Sequence, residues 1–239
     1  MRGGVDMIVS RLPAAGGIAY VLGMMVHGGR FTPARWLVLG GMMLLGAAPA
    51  RAENIGVTAR KFVAIDKLEF SNKAAVRLLS LDPRIRKGSG QSAATIGATL
   101  DVTIEAFNHP PIAGAFSIPQ GFSETAGWRV NDASVAKYVN PEAPGGPTQV
   151  RVAVVQENAL VKVSAKGLGD LPIPLDELRF APFDVQVRFV VLNGTETITH
   201  CTVFHSATCS LPLIGGGTGR KLQCTDGQAV SDCVFPPPP

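Results

Sequence analysis

The run from Phe183 to Phe204 constrains the fold more than any other stretch, because two arms of alternating or β-branched residues flank Asn193-Gly194. An Asn-Gly pair tolerates the positive φ angles of a type I′ turn, whose twist matches that of two antiparallel strands. This predicts a hairpin with Leu192 opposite Thr195, Phe189 opposite Ile198 and Val187 opposite His200. Phe183, Val185, Val187, Phe189, Val191, Ile198 and Phe204 then share one face. Asp184, Gln186, Arg188, Thr195, Thr197 and Thr199 take the other, so the pattern reads as a sheet covered on one side and wet on the other.

The same kind of signal recurs at Lys61 to Asp66, Ala75 to Leu81, Thr99 to Phe107, Gln149 to Gln156 and Leu160 to Ala165. Turn formers separate these runs: Asp82-Pro83, Asn108-His109-Pro110-Pro111, Asn140 through Pro147, and Leu171-Pro172-Ile173-Pro174. A short helix is expected only near Asp132 to Tyr138. Trp128, following Gly127, reads as a strand residue that fills the core. The fold class expected is all-β (mainly β), an antiparallel sandwich or barrel-like sheets with a C-terminal disulfide-stapled hairpin region.

The N-terminal part reads as a leader. Arg30 and Arg35 precede the apolar run Trp36 to Ala48, which ends in Ala50-Arg51-Ala52, the three-part order of a cleavable secretory signal with a cut after Ala52. A second apolar stretch, Leu12 to Val26, is broken by Gly16, Gly17 and Gly23. It suggests a functional start at Met24 or Met25, with a short first membrane helix as the alternative. The expected organisation is a leader over 1–52, a single β-rich domain over 53–235 and a Pro-rich tail over 236–239.

Charge supports no long-range attraction to polyanions. Five of the 22 Lys+Arg and one of the 18 Asp+Glu fall in residues 1–52, which leaves 17 of each in the remainder. A balanced chain gives no general pull toward nucleic acid or anionic membrane, so neither a nucleic-acid partner nor a stable span in the mature chain is expected. The cluster Arg84-Ile85-Arg86-Lys87 reads as a solvated turn.

Cys201, Cys209, Cys224 and Cys233 all lie in the last 39 residues, and after export they would meet an oxidising compartment. Two disulfides are expected. Of the three pairings, Cys201 with Cys209 and Cys224 with Cys233 close the smallest loops and are preferred. Cys201 points to the wet face in the predicted register, which places its bridge on the sheet surface. His200, Cys201, His205 and Cys209 offer metal-ligand types, but adjacent strand residues face opposite ways and cannot converge on one ion. No metal or cofactor is therefore expected, and His200 reads as a half-buried neighbour of Val187.

The glycine run Gly215-Gly216-Gly217-Thr218-Gly219 lacks the Gly-Lys-Ser/Thr ending of a phosphate-cradling loop and reads as a turn between strands. No hydrolase motif marks a catalytic residue. His109 sits in a Pro-flanked loop.

Several marks taken together resemble a type of exported bacterial β-rich protein with a C-terminal four-cysteine segment. They are Ile65-Asp66-Lys67-Leu68, Gly127-Trp128, Lys137-Tyr138-Val139-Asn140 leading into Ala143-Pro144-Gly145-Gly146-Pro147, Lys166-Gly167-Leu168-Gly169-Asp170, and Gly216-Gly217-Thr218-Gly219 among the terminal cysteines. The resemblance implies an extracytoplasmic domain and carries no site residues. The expected function is a non-enzymatic binding or structural module that is periplasmic, cell-surface or secreted and meets an envelope or extracellular partner. The alternative is an extracytoplasmic enzyme or metal-binding protein that uses His200, His205 or His109.

Overall fold

The computed structural model describes residues 7–14, 17–24, 50–67, 74–90, 92–106, 108–132, 134–143, 149–168, 173–175, 178, 182–214 and 219–234. The chain divides into two units, Met1–Gly46 and Ala47–Pro239. In the first, β1 (Met7–Ala14) and β2 (Gly17–Met24) form an antiparallel ladder from Met7 opposite Met24 to Ala14 opposite Gly17. Within the apolar stretch, Leu12 to Ala14 and Gly17 to Met24 are thus extended. The apolar run Trp36 to Ala48, the glycines 215–217 and the tail 236–239 lie outside the described residues.

The second unit contains β3 (Arg51–Gly56), β4 (Ala59–Lys67), β5 (Ala74–Leu81), β6 (Ile96–Ala106), β7 (Ile112–Ile118), β8 (Gly127–Asp132) and β9 (Val135–Val139). It continues with β10 (Val150–Gln156), β11 (Leu160–Leu168), β12 (Phe183–Asn193), β13 (Glu196–Phe204), β14 (Cys209–Ser210), β15 (Leu213–Ile214) and β16 (Gly219–Ala229). The ladder order is β7-β6-β12-β13-β16-β4-β5-β11-β10-β9-β8, antiparallel throughout, with β3 added in parallel beside β13. Each of the six expected β runs coincides with a strand, except that Gln149 precedes β10 and Phe107 lies outside the described residues. The predicted helix near Asp132 to Tyr138 is instead the β8–β9 hairpin, where Ala136 and Tyr138 are buried and Lys137 is exposed, a period of two.

This all-β sheet curls upon itself into a half-barrel. One core joins both limbs: Phe62, Val76, Leu78, Val161 and Val163 face Leu100, Val102, Val187, Phe189 and Phe204 within a single apolar cluster. Trp128 fills it as expected, its ring tilted against that of Tyr138 at 5.6 Å and its Nε1–H donated to the Pro119 carbonyl at 3.0 Å. At the corner, β16 leaves β4 after Gly227 and pairs Gln228 and Ala229 with Val203 and Thr202 of β13. Asp226 makes the bend with φ +55°. Gly227 is required there, because a Cβ would lie 2.7 Å from the Phe204 ring and the Thr202 hydroxyl. Strands that switch sheets through a bend are how such corners form.

The β12–β13 hairpin forms with a register two residues away from the predicted one. Asn193 pairs with Glu196, Leu192 with Thr197, Phe189 with His200 and Val187 with Thr202. Gly194 alone takes a positive φ, +66°, the pattern of a type II′ turn. Asn193 remains in the strand because its buried amide donates to the Lys87 and Gly90 carbonyls, both at 3.1 Å. A shift of two preserves every face, so the predicted core residues keep their side. The opposite face is not uniformly wet. Asp184, Gln186 and Cys201 are buried on it, where β3 runs beside β13, residues 231–233 pack on both, and residues 206–208 lie against β12.

The turn after β5 is a plug rather than a solvated loop. Ile85 and Lys87 are both 0% exposed. Asp82 anchors the turn, accepting from the Thr58 N–H at 2.7 Å, the Arg84 N–H at 2.8 Å and the Arg84 guanidinium at 2.7 and 2.9 Å. Burial opposes its charge, but the Arg84 guanidinium and these donors outweigh that and hold the carboxyl well below the usual range. The Lys87 N–H donates to Glu157 Oε2 at 2.6 Å and the Ser89 N–H to Glu196 Oε2 at 2.7 Å, while Lys87 Nζ donates to the Gly90 carbonyl at 2.7 Å. Carboxylates and carbonyls thus absorb the charge that reads as a basic cluster: Arg84 meets Asp82, Arg86 meets Glu53, and Lys87 Nζ meets the Gly88 and Gly90 carbonyls.

The cysteines are all bridged, but as Cys201–Cys233 and Cys209–Cys224, not in the preferred pairing. Loop length alone misleads here. Cys209 and Cys224 are direct cross-strand partners of β14 and β16. Cys201 lies within β13, and the strand carries the chain away from it for three further residues, while residues 231–233 return beneath β13. The separations of 15 and 32 residues correspond to about 3 and 3.7 kcal/mol on the chain-entropy scale. Non-reducing peptide mapping should recover Cys201 with Cys233 and Cys209 with Cys224; a Cys201–Cys209 peptide would contradict the β14–β16 register. The Cys209→Ser, Cys224→Ser double variant should lose about 3 kcal/mol in urea unfolding.

Candidate functional site

The three histidines do not converge. His200 is buried beside Phe189, its ring stacked at 6.3 Å, and its neighbour Cys201 is on the other face of β13. Its Nε2 accepts the Arg86 N–H at 3.1 Å, which leaves the proton on Nδ1 to be donated to the Phe189 carbonyl at 3.3 Å. His200 is therefore a neutral clamp between the plug and the hairpin. His205 Nδ1 lies 3.1 Å from Asp184 Oδ2, and Asp184 Oδ1 accepts the Ser206 N–H at 3.2 Å, which fixes the turn after β13. His109 is exposed, with Nδ1 2.8 Å from the Pro110 carbonyl. Among the described residues no group of three or more His, Cys, Asp or Glu is placed to hold a metal ion, and disulfides occupy all four cysteines.

The principal groove lies on the outer face of β4, β5, β10, β11 and β16. It encloses about 580 Å³ and is lined by Lys61, Arg77, Arg151, Lys162, Lys166 and Lys221 around a floor that includes Val63, Ile65, Leu79 and Val152. Strand alternation builds it. Burying Phe62 and Ala64, Val76 and Leu78, and Val161, Val163 and Ala165 forces the intervening residues outward. On β10 a bulge between Val150 and Val152 adds Arg151 to the same surface.

The register then concentrates the charge. Arg77 pairs with Val63 on one side and Ser164 on the other. Lys61, Lys162 and Lys166 occupy three of its diagonal positions, and Ile65, the fourth, pairs with Lys221. Diagonal neighbours lie about 7–8 Å apart. Lys137 and Arg129 extend the face across β9 and β8, opposite Val154 and each other. This one face thus carries eight of the 17 Lys+Arg that follow residue 52.

Among the described residues no Asp or Glu lines the groove, and none of its six cations forms an ion pair with a described residue. A second groove of about 360 Å³ beside the plug is different in kind: Arg86 there is bridged to Glu53 at 3.2 Å, and Glu157 and Glu196 hold backbone N–H groups. Its charges hold the fold together, whereas those of the larger groove have no ion-pair partner among the described residues.

Sequence reasoning missed this face because net charge averages over the surface and each strand contributes only one or two cations. The available signal was that the outward members of Lys61-x-Val63-x-Ile65, Arg77-x-Leu79 and Lys162-x-Ser164-x-Lys166 include cations and no acid. Period-two reading places all of them on one side once the strands are adjacent.

Burial pushes His200 from the ordinary 6.5 down to about 4, against the smaller opposing effect of its hydrogen bonds. Folding favours the neutral ring, so its contribution is full above pH 6.5 and is lost as pH falls from there toward 4. At about 1.4 kcal/mol per pH unit, wild type should lose roughly 3 kcal/mol more than His200→Gln between pH 7.5 and 4 in chemical denaturation; parallel pH profiles would show that the ring already titrates normally in the fold.

Two disulfides in a β-rich fold suit an oxidising, extracytoplasmic setting, and among the described residues no helix is long and apolar enough to cross a membrane. No protein-family model matches the sequence, and no curated protein or solved structure is significantly similar to it.

Proposed function

We propose that the chain is exported and acts outside the cytoplasm as a non-enzymatic binding module, with the groove around Arg77 as its anion-binding site. The observation that carries this reading is the gathering of six cations on one face with no lining acid among the described residues. Like charges placed diagonally across strands oppose folding, so such an arrangement calls for a compensating ligand. Phosphate and carboxylate groups suit it, since guanidinium supplies a fixed fork of donors and ammonium a mobile point charge. His200 and His205 are engaged in holding the fold, and His109 is exposed with only the adjacent Pro110 carbonyl beside it, which gives no separate support to the enzymatic alternative.

Export rests on the leader pattern from Arg30 to Ala52 and on the disulfides. Cleavage after Ala52 removes only Arg51 and Ala52 from β3, and both are exposed. Intact-mass measurement of the exported protein should give a chain beginning at Glu53 and lacking four thiol protons; a retained leader, or free thiols, would count against this reading.

Binding of a long-chain inorganic polyphosphate, followed by titration at several salt concentrations, tests the site. The Arg77→Glu, Lys162→Glu double variant should bind at least tenfold more weakly, with the salt slope reduced by about one per cation lost. Arg60→Glu, an exposed change whose side chain lies outside this groove, should remain within twofold of wild type. Equal losses in both variants would show a diffuse charge effect, and absence of polyphosphate binding would remove the anion site.

A further inference from the structure

We infer that the ligand of this groove is a phosphorylated amphiphile, one molecule with a phosphate head and an aliphatic body. The inference rests on the anion-binding reading above and adds the part of the groove that charge alone does not explain. Between the cations lie Val63, Ile65, Leu79 and Val152, and among the described residues no lining residue is aromatic. A site for bare phosphate has no use for an aliphatic floor. A site for single-stranded nucleic acid stacks its bases on aromatic rings, which this floor lacks.

The two kinds of side chain are ordered in space. Across the strands, Val63, Arg77, Ser164 and Val152 form one row, and Lys61, Leu79 and Lys162 form the next. Arg77 therefore stands between Val63 and Ser164, with Val152 beyond Ser164, and has lysines on three of its diagonals. A phosphate bound at Arg77 is within reach of Lys61, Lys162 and Lys166, whose long stems can swing inward from about 7–8 Å. The attached chain then has two aliphatic edges to lie against, Val63 with Ile65 on β4 and Val152 on β10. Val63 is already only 6% exposed although it faces outward, as expected where the methylene stems of cationic neighbours cover an apolar floor. A ligand chain would replace those stems and release their ammonium groups toward the phosphate.

Size agrees. About 580 Å³ lies within the range of roughly 300–1,000 Å³ that small-molecule sites occupy and exceeds what an inorganic phosphate fills. Ser164, half-buried at the centre beside Arg77, supplies a hydroxyl that can donate to a phosphate oxygen.

The test uses the full mature chain and isothermal titration with dihexanoyl phosphatidic acid, kept monomeric below its micellar concentration. Glycerol 3-phosphate and dihexanoyl phosphatidylcholine serve as the headgroup-only and zwitterionic comparisons. Phosphatidic acid should bind at least tenfold more tightly than either. In Leu79→Asn, Val152→Asn that preference should fall at least fivefold, while polyphosphate affinity stays within twofold of wild type. The comparison of the three probes on wild-type protein stands without any variant. Equal affinity for phosphatidic acid and glycerol 3-phosphate would overturn the amphiphile and leave a plain anion site. Binding of polyphosphate with no binding of phosphatidic acid would do the same. Failure of polyphosphate as well would remove the anion-binding reading itself.

Discussion

The bend of β16 at Asp226 is the joint on which the architecture depends. One side of it pairs with β4 and carries the limb that bears the cationic face; the other pairs with β13 and carries the hairpin limb. A strand shared in this way makes the two limbs one sheet, and burial of a common core then holds the curl. The Cys209–Cys224 bridge fastens β14 to this strand, and Cys201–Cys233 ties the residues that follow it back under β13. Each bridge is worth about 3 kcal/mol or somewhat more, which is large against a typical net stability of about 5–15 kcal/mol. They act where the chain departs from regular pairing, so their main effect is to keep the corner closed.

The cationic face draws on that stability. Two unit charges about 7.5 Å apart in water repel by roughly 0.5 kcal/mol, and physiological salt reduces this further. The three such pairs that Arg77 makes with its diagonal lysines together cost at most about 1.5 kcal/mol, roughly half of what one disulfide contributes. The cost is tolerable for a closed β core and gives no structural return, since the apolar faces of β4, β5 and β11 would pack equally well with uncharged residues outside. That asymmetry separates this surface from the plug, where nearly every charge has a partner.

The sequence made the strands and their faces legible, because period-two alternation survives wherever one face is buried. All six expected runs became strands, and the hairpin kept its core residues even with the register displaced. What failed was local in cause and tertiary in remedy. Asn-Gly suggested a type I′ turn, but Asn193 is held in the strand by carbonyls of a loop a hundred residues earlier. Loop length suggested adjacent disulfides, but ladder register decided them. Strand β16 escaped notice because Gly219-Arg-Lys-Leu-Gln-Cys-Thr-Asp-Gly carries little β-branched character; its pairing comes from neighbours on both sides rather than from propensity.

The balanced charge of the chain concealed the site for the same reason. Seventeen cations and seventeen acids after residue 52 suggest neutrality, yet the acids that structure describes near the plug are spent on backbone donors and on arginines: Asp82 on Thr58 and Arg84, Glu53 on Arg86, Glu157 on Lys87 and Glu196 on Ser89. The Ser89 N–H holds the Glu196 carboxyl below its usual range, as befits a charge already satisfied. Acids committed in this way cannot neutralise a face on the other limb. Net charge sums over a surface, whereas a ligand meets only what remains unpaired within a Debye length of about 8–10 Å. By that local measure the groove around Arg77 is strongly positive in a neutral chain, and the ordering of lysines around an aliphatic floor turns that potential into a shape.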